Sequence, residues 1–180
     1  MQTDHIQIPI FPRAPAFALG AVPLAPLGVA MTLFSKRIAK RHPGLFNRLG
    51  EYDHCKFILD PTDLPIKLCL EPNGGNPRVT LSRGNPEGDA RIAGPLAALL
   101  GLVHGVFDGD ALFFSRDLLI EGDTAAALAL RNAIDDAELD LAEEIKQMSG
   151  PLAKPLQRLL ERAEEKTGVA LSRPDDGGYW

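Results

Sequence analysis

Residues 110–141 read DALFFSRDLLIEGDTAAALALRNAIDDAELDL, and the order of residue types in this stretch decides the fold class. A short apolar entry at Leu112 to Phe114 precedes a strand through Leu118 to Glu121, and Gly122-Asp123 then turns the chain into a long helix. Asp123 suits the N-cap, because its carboxylate can take the free backbone N–H groups of the first turn and lies at the positive end of the helix dipole. Behind it, Ala127, Leu130, Ile134, Ala137, Leu141, Ile145 and Met148 recur at three- and four-residue spacing and form one apolar stripe. Arg131, Asp135, Asp136, Glu138, Asp140, Glu143 and Lys146 occupy the opposite face. A strand feeding an amphipathic helix is the packing unit of a two-layer domain, so the rest of the chain must supply the sheet beneath.

A chain of 180 residues, 45% of them hydrophobic, can bury one real core and carry a terminal extension. Its net charge of -5 argues against nucleic acid as a partner, since phosphate binding needs a surplus of Lys and Arg on one face. Cys55 and Cys69 fit a reducing compartment; both fall in expected strands without metal-ligand spacing, which reads as a pair of inert buried thiols.

Between Cys55 and Gly94 the hydrophobic period becomes two. Cys55, Phe57 and Leu59 alternate with Lys56, Ile58 and Asp60, and Ile66, Leu68 and Leu70 alternate with Lys67, Cys69 and Glu71. Val79 and Leu81, then Ala90 and Ile92, mark two further strands, with turns at 60–63, 72–76 and 85–88. Short strands and tight turns predict an antiparallel meander with one face buried, and the strand before Gly122 brings the count to five.

The N-terminal third contains no charged residue from Ala14 to Ser35, a length that could span a bilayer. Pro15, Pro23 and Pro26 would each break such a helix, and the region before it is a poor secretory leader. Leu27, Ala30, Met31, Phe34 and Ile38 then share one helical stripe that ends in Lys36, Arg37, Lys40, Arg41 and His42, before Pro43-Gly44 stops the helix and 45–52 lead into the sheet. Two readings stay open: a core-packed helix whose cations complement its dipole, or a helix resting on an anionic lipid surface with Leu27 and Phe34 dipping in and Lys36, Arg37, Lys40 and Arg41 at the headgroups.

A helix from Pro95 to Phe107 has His104 as its only polar side chain, so it is either covered on both sides by protein or borders a space filled by an apolar ligand. Past Met148 the chain breaks at Ser149-Gly150-Pro151, a further helix carries Leu152, Leu156, Leu159, Leu160 and Ala163, and residues 172–180 form a loose tail. The resulting division is an N-terminal apolar segment and helix over 1–50, a central domain over 51–149, and a C-terminal helix with tail over 150–180.

No catalytic constellation emerges. His5, His42, His54 and His104 share no ligand spacing, no nucleophile elbow or phosphate loop is present, and Gly74-Gly75 reads as a hairpin turn. Asp135 and Asp136 are neighbours on a solvent face and cannot converge on one atom, while Glu121 and Asp123 flank a turn. These readings predict no enzyme activity, no metal and no cofactor.

The pattern A-x-F-x-S-x-x-L-x-I-x-G-D over residues 111–123, followed by a helix, resembles the last strand and helix of the sterol carrier protein 2 family of lipid-binding domains. The fuller string FF-x-R-x-L-x-IEGDT, with Asn132, Asp135, Glu138 and Leu139 behind it, is similar to the branch of lipid-carrier accessory factors of oxygen-independent ubiquinone biosynthesis; Arg116 stands where the wider family tends to have glycine. The resemblance is sharp over about thirty residues and topological over 56–107. It implies an α+β fold, a five-stranded mainly antiparallel sheet with helices on one face and a hydrophobic tunnel. It also implies a non-enzymatic carrier of a prenylated quinone or its precursor, located in the cytoplasm with peripheral contact at the inner membrane and with biosynthetic partner proteins. Joined to the all-apolar helix, the resemblance suggests a lipid-binding wall of Leu96, Leu99, Leu100, Val103, Phe107, Phe113, Phe114 and Leu128. A solid-cored interaction scaffold and a substrate-holding domain of a transferase, with a polar cleft near His104 or Glu121, remain the alternatives.

Overall fold

Alternating strand residues need a partner ladder on each side and a cover on the apolar face, and the computed structural model shows how both are met. It describes residue 10 and residues 23–104, 118–137, 139, 143–144 and 147. Five strands form one sheet: β1 (Phe57–Pro61), β2 (Lys67–Glu71), β3 (Arg78–Ser82), β4 (Ala90–Gly94) and β5 (Leu119–Gly122), in the order β3-β2-β1-β4-β5. β1 with β2 and β2 with β3 are antiparallel, as the turns imply, and β4 with β5 is antiparallel across the long connection of residues 95–118. The simple meander fails at one point, because β4 lies parallel to β1, Phe57 opposite Ala90 and Leu59 opposite Ile92. A parallel neighbour needs a long crossover, which β2, β3 and the loop to residue 89 supply. Asp89 fixes the register: its Oδ2 accepts from Lys56 N at 2.7 Å, and its own N–H donates to Lys56 O at 2.9 Å.

Four helices complete the described chain: α1 (Leu24–Arg41), α2 (Pro43–Asn47), α3 (Leu96–His104) and α4 (Thr124–Ala137). Pro43 ends α1 but also opens α2 at its first position, so residues 43–52 form a short helix and a 3-10 turn rather than a lead into the sheet. That turn of chain is core, with Leu45, Phe46 and Leu49 at 6%, 6% and 2% exposure. Asp123 caps α4 as expected, its Oδ1 accepting from Ala125 N at 2.9 Å and Ala126 N at 3.0 Å. Gly122 before it adopts φ +79°, and a Cβ there would collide with the Asp89 carbonyl. Asp63 performs the same service for α3 from a distance, accepting from Leu96 N at 2.9 Å. α4 ends at Ala137 and Leu139 is not helical, so the helix expected to run on to Met148 is interrupted there; beyond it only Glu143, Glu144 and Gln147 are described, and the helix and tail over 150–180 lie outside the described residues.

The core lies between the sheet face carrying Phe57, Leu59, Leu70, Ala90 and Ile92 and the helix stripes that cover it, with Ala98 and Leu102 from α3 and Ala126, Ala127, Leu130 and Ala133 from α4. α1 runs along the outer edge of β3, where the Thr32 hydroxyl donates to Val79 O at 2.9 Å and accepts from Val79 N at 3.0 Å. The opposite sheet face is not plain solvent surface as the alternation predicts. Ile58 is 2% exposed because the loop at Gly88 lies directly on it, leaving no room for a Cβ.

Candidate functional site

Between the sheet and the helices lie two adjoining apolar hollows, of about 140 Å³ and 50 Å³, that share Leu59, Val103, Leu130 and Ile134. The larger is closed by Ile38 of α1, Leu45 and Phe46 of α2, Leu70 of β2, Ala133 of α4 and Leu139, with Ser35 as its one polar residue. The smaller reaches Ile92, Leu99 and Leu102, with Arg131 at its rim, where Nε stands 3.3 Å from the Asp135 carboxylate. These elements meet here because each presents an apolar stripe of small and large residues: Ala126, Ala127 and Ala133 let α4 approach, while Leu130 and Ile134 stand off and leave space.

Of the wall residues expected from the sequence, Leu99 and Val103 line the hollows. Leu96 and Leu100 are half-buried on α3 but line neither, and Leu128 faces outward from α4 at 47% exposure. Phe107, Phe113 and Phe114 lie outside the described residues, as do the side chain of His104 and the motif positions up to 117. Leu59, Leu70, Ile38, Leu45, Phe46, Leu130 and Ile134 join the lining without having been singled out for it. Their signal was present as apolar stripes, but a stripe that walls a hollow has the same spacing as one that fills a core.

The helix-end cations fall into two groups. Arg41 Nη1 contacts Glu144 Oε2 at 2.9 Å and His42 Nε2 lies 3.0 Å from Oε1 of the same carboxylate, which is buried to 5% exposure. Arg37 donates to the Gln147 carbonyl and Arg48 pairs with Asp136. Lys36 and Lys40 take part in no such tie among the described residues. Leu27 is half-buried and Phe34 packs against the core, so the large apolar side chains that α1 exposes are Val29 and Leu33, at 61% and 62%.

Charge on the sheet is gathered on the far face. Asp60, 4% exposed, accepts from Arg91 Nε at 2.9 Å and lies 3.0 Å from Lys67 Nζ, and Arg91 also pairs with Glu121. Burial pushes the Asp60 carboxyl up, but hydrogen bonds and charge from Arg91 and Lys67 outweigh it and hold the group below its ordinary range. A polar recess of about 310 Å³ is lined by Lys67, Asn85, Arg91 and Glu121, and its two cations are tied to the Glu121 carboxylate on the lining and to the Asp60 carboxylate behind it. Cys55 and Cys69 are free thiols, and burial pushes both up from the usual thiol value, away from the reactive thiolate. Among the described residues no group of three or more His, Cys, Asp or Glu side chains could hold a metal ion, and no helix is long and apolar enough to cross a membrane.

A mixed five-stranded sheet roofed by helices over an apolar hollow, with charge held on the opposite face, defines an α+β domain of the sterol-carrier type. The chain belongs to the SCP-2 sterol transfer family, whose pattern matches residues 36–135. It is 30% identical over 91 residues to the Ubiquinone biosynthesis accessory factor UbiT of Escherichia coli (strain K12), a match covering 50% of this chain and 52% of that protein. The chain thus spans about half the length of the curated relatives it matches. The UbiJ-SCP2 Ubiquinone synthesis protein shares the fold with a TM-score of 0.52 at 18% identity, over 65% of this chain and 96% of that one.

Proposed function

We propose that the protein is a non-enzymatic lipid carrier that serves as an accessory factor in ubiquinone biosynthesis and takes a long apolar ligand, a prenylated quinone or its precursor. The observation that carries this reading is the pair of adjoining hollows at Leu59, Val103, Leu130 and Ile134, walled almost wholly by carbon. Family membership and the likeness to UbiT support it. A cavity of about 150 Å³ lined by aliphatic side chains stays dry and admits a molecule the size of benzene, so the larger hollow suits one ring or one isoprene unit. At about 0.8 kcal/mol per methylene, five carbons contribute about 4 kcal/mol, a millimolar affinity. Two units reach the micromolar range, so a useful complex requires the ligand to run through both hollows and beyond.

The carrier would work on the cytoplasmic side of the inner membrane, with α1 as its peripheral contact. Val29 and Leu33, the large apolar side chains that α1 exposes, would dip in, with Lys36 and Lys40 at the headgroups, since Arg37 and Arg41 already have intramolecular partners. Biosynthetic enzymes would be its protein partners.

Native mass spectrometry and solvent extraction of the purified protein test the reading. The wild type should carry prenyl lipid, Val103→Asp should lose it while keeping native circular dichroism, and Leu100→Asp should retain it. A folded Val103→Asp protein with undiminished lipid would refute this wall.

A further inference from the structure

A second recess, on the outside of the fold and separate from the internal hollow, shares Val29, Leu33 and Lys36 with the membrane contact proposed for α1. It lies between α1 and the edge of β3, has a volume of about 660 Å³, and is lined from both elements and from the 73–76 turn. Its size falls inside the roughly 300–1,000 Å³ range of small-molecule sites. Thr32 holds its two walls together through both hydrogen bonds to Val79, so the recess is preformed. Gly28, whose missing side chain faces the Val79 carbonyl, keeps the floor open.

The lining is graded. Because α2 follows α1 directly and packs on the 73–75 turn, the C-terminal end of α1 lies at the start of β3. That end gathers Lys36 and Arg78 with the amides of Asn73 and Asn76, while Leu24, Val29, Leu33 and Leu81 line the rest. Several other cations of the domain are committed: Arg41 and His42 to Glu144, Arg48 to Asp136, and Lys67 and Arg91 to Asp60. Lys36 and Arg78 form no ion pair among the described residues, and Glu71, the register partner of Arg78, forms none with it.

We propose that the α1–β3 groove is a second lipid site, separate from the internal hollow, for a single-chain anionic amphipath whose head sits on Lys36 and Arg78 and whose tail lies along Val29, Leu33 and Leu81. Two uncommitted cations beside the Asn76 amide match a carboxylate or phosphate head, the Asn73 amide already donating to Glu71 O, and the carbon-lined remainder matches one chain. The site places an anionic lipid at the surface of the domain without occupying the hollow.

Titration with dodecyl phosphate, and separately with laurate, both below their micelle concentrations, tests this by following backbone amide signals of the whole chain. Saturable shifts should centre on Gly28, Thr32, Val79 and Leu81 for at least one of the two. Lys36→Glu combined with Arg78→Glu should weaken binding at least tenfold, uncharged dodecanol should bind at least tenfold more weakly, and Leu33→Ser should cost several-fold. Val103→Asp should leave groove binding intact, which separates failure of this site from failure of the carrier reading. Shifts confined to Leu59, Val103 and Leu130, an unchanged affinity in the charge-reversed variant, or binding to phosphatidylglycerol vesicles with none to either monomeric amphipath would overturn the proposal.

Discussion

Gly122 and Asp60 show how single positions govern this domain. Gly122 joins β5 to the capped start of α4 at φ +79°, and Asp123 N donates to Asp89 O at 2.8 Å just beyond it. A side chain there meets both a left-handed backbone and the Asp89 carbonyl, so Gly122→Ala should cost about 2–4 kcal/mol. Thermal unfolding should show this as a midpoint lowered by roughly 5–10 °C. Asp60 carries the pH dependence. Its folded-state value lies below the ordinary 3.8, so the stability it contributes is complete above the unfolded value and is lost as pH falls through the folded one. Acid titration of the wild type should therefore show a loss of stability below about pH 4, and Asp60→Asn should flatten that limb. The same variant should be less stable at pH 7, by less than the roughly 3–5 kcal/mol of a fully buried pair, because Lys67 and Arg91 are 21% and 31% exposed and can turn to water.

Elements that read cleanly in the sequence were those whose local chemistry is self-sufficient. The Gly122-Asp123 turn, the cap on α4 and the Ala127–Leu130–Ile134–Ala137 stripe depend on neighbours within a few residues and hold in the structure; the strand alternations place the strands but not their cover, since Ile58 and Cys69 on the second face are buried too. What sequence could not supply were the partners chosen across the fold: the parallel pairing of β4 with β1, the loop over Ile58, and the use of 43–52 as core rather than connector. Sequence pointed to α3 but not to the other elements around the hollows, for the same reason. The apolar character of α3 pointed to it, yet which face of α3 lines space, Leu99 and Val103 rather than Leu96 and Leu100, depends on the angle at which α3 meets α4. Edge protection belongs at this scale too. β3 would present open backbone groups at Val79 were it not for Thr32, which satisfies both. Thr32→Val keeps the shape and removes the hydroxyl, so it should cost about 1–3 kcal/mol and raise the tendency to self-associate, measurable by denaturant melts and by sedimentation.

Across the whole molecule, the decisive question is whether the space beneath the helices is a hollow or a packing defect that a bulkier side chain would strain. Ala133 is 1% exposed and lines the larger hollow opposite Leu59 and Leu70. In a solid interior, Ala133→Leu would overpack, force neighbouring rotamers and lower stability by about 1–3 kcal/mol. In a hollow of about 140 Å³ the added carbons find room, and filling an empty cavity raises stability by about 0.5–2 kcal/mol. The expected outcome for delipidated protein is therefore a higher melting temperature for Ala133→Leu than for the wild type, accompanied by loss of retained lipid in native mass spectrometry. The two readouts move in opposite directions only if the space is kept open for a ligand at a cost to the empty fold. A lowered melting temperature in the delipidated variant would mean that α4 already packs tightly on β1 and β2, leaving the solid-cored scaffold as the better description of this domain.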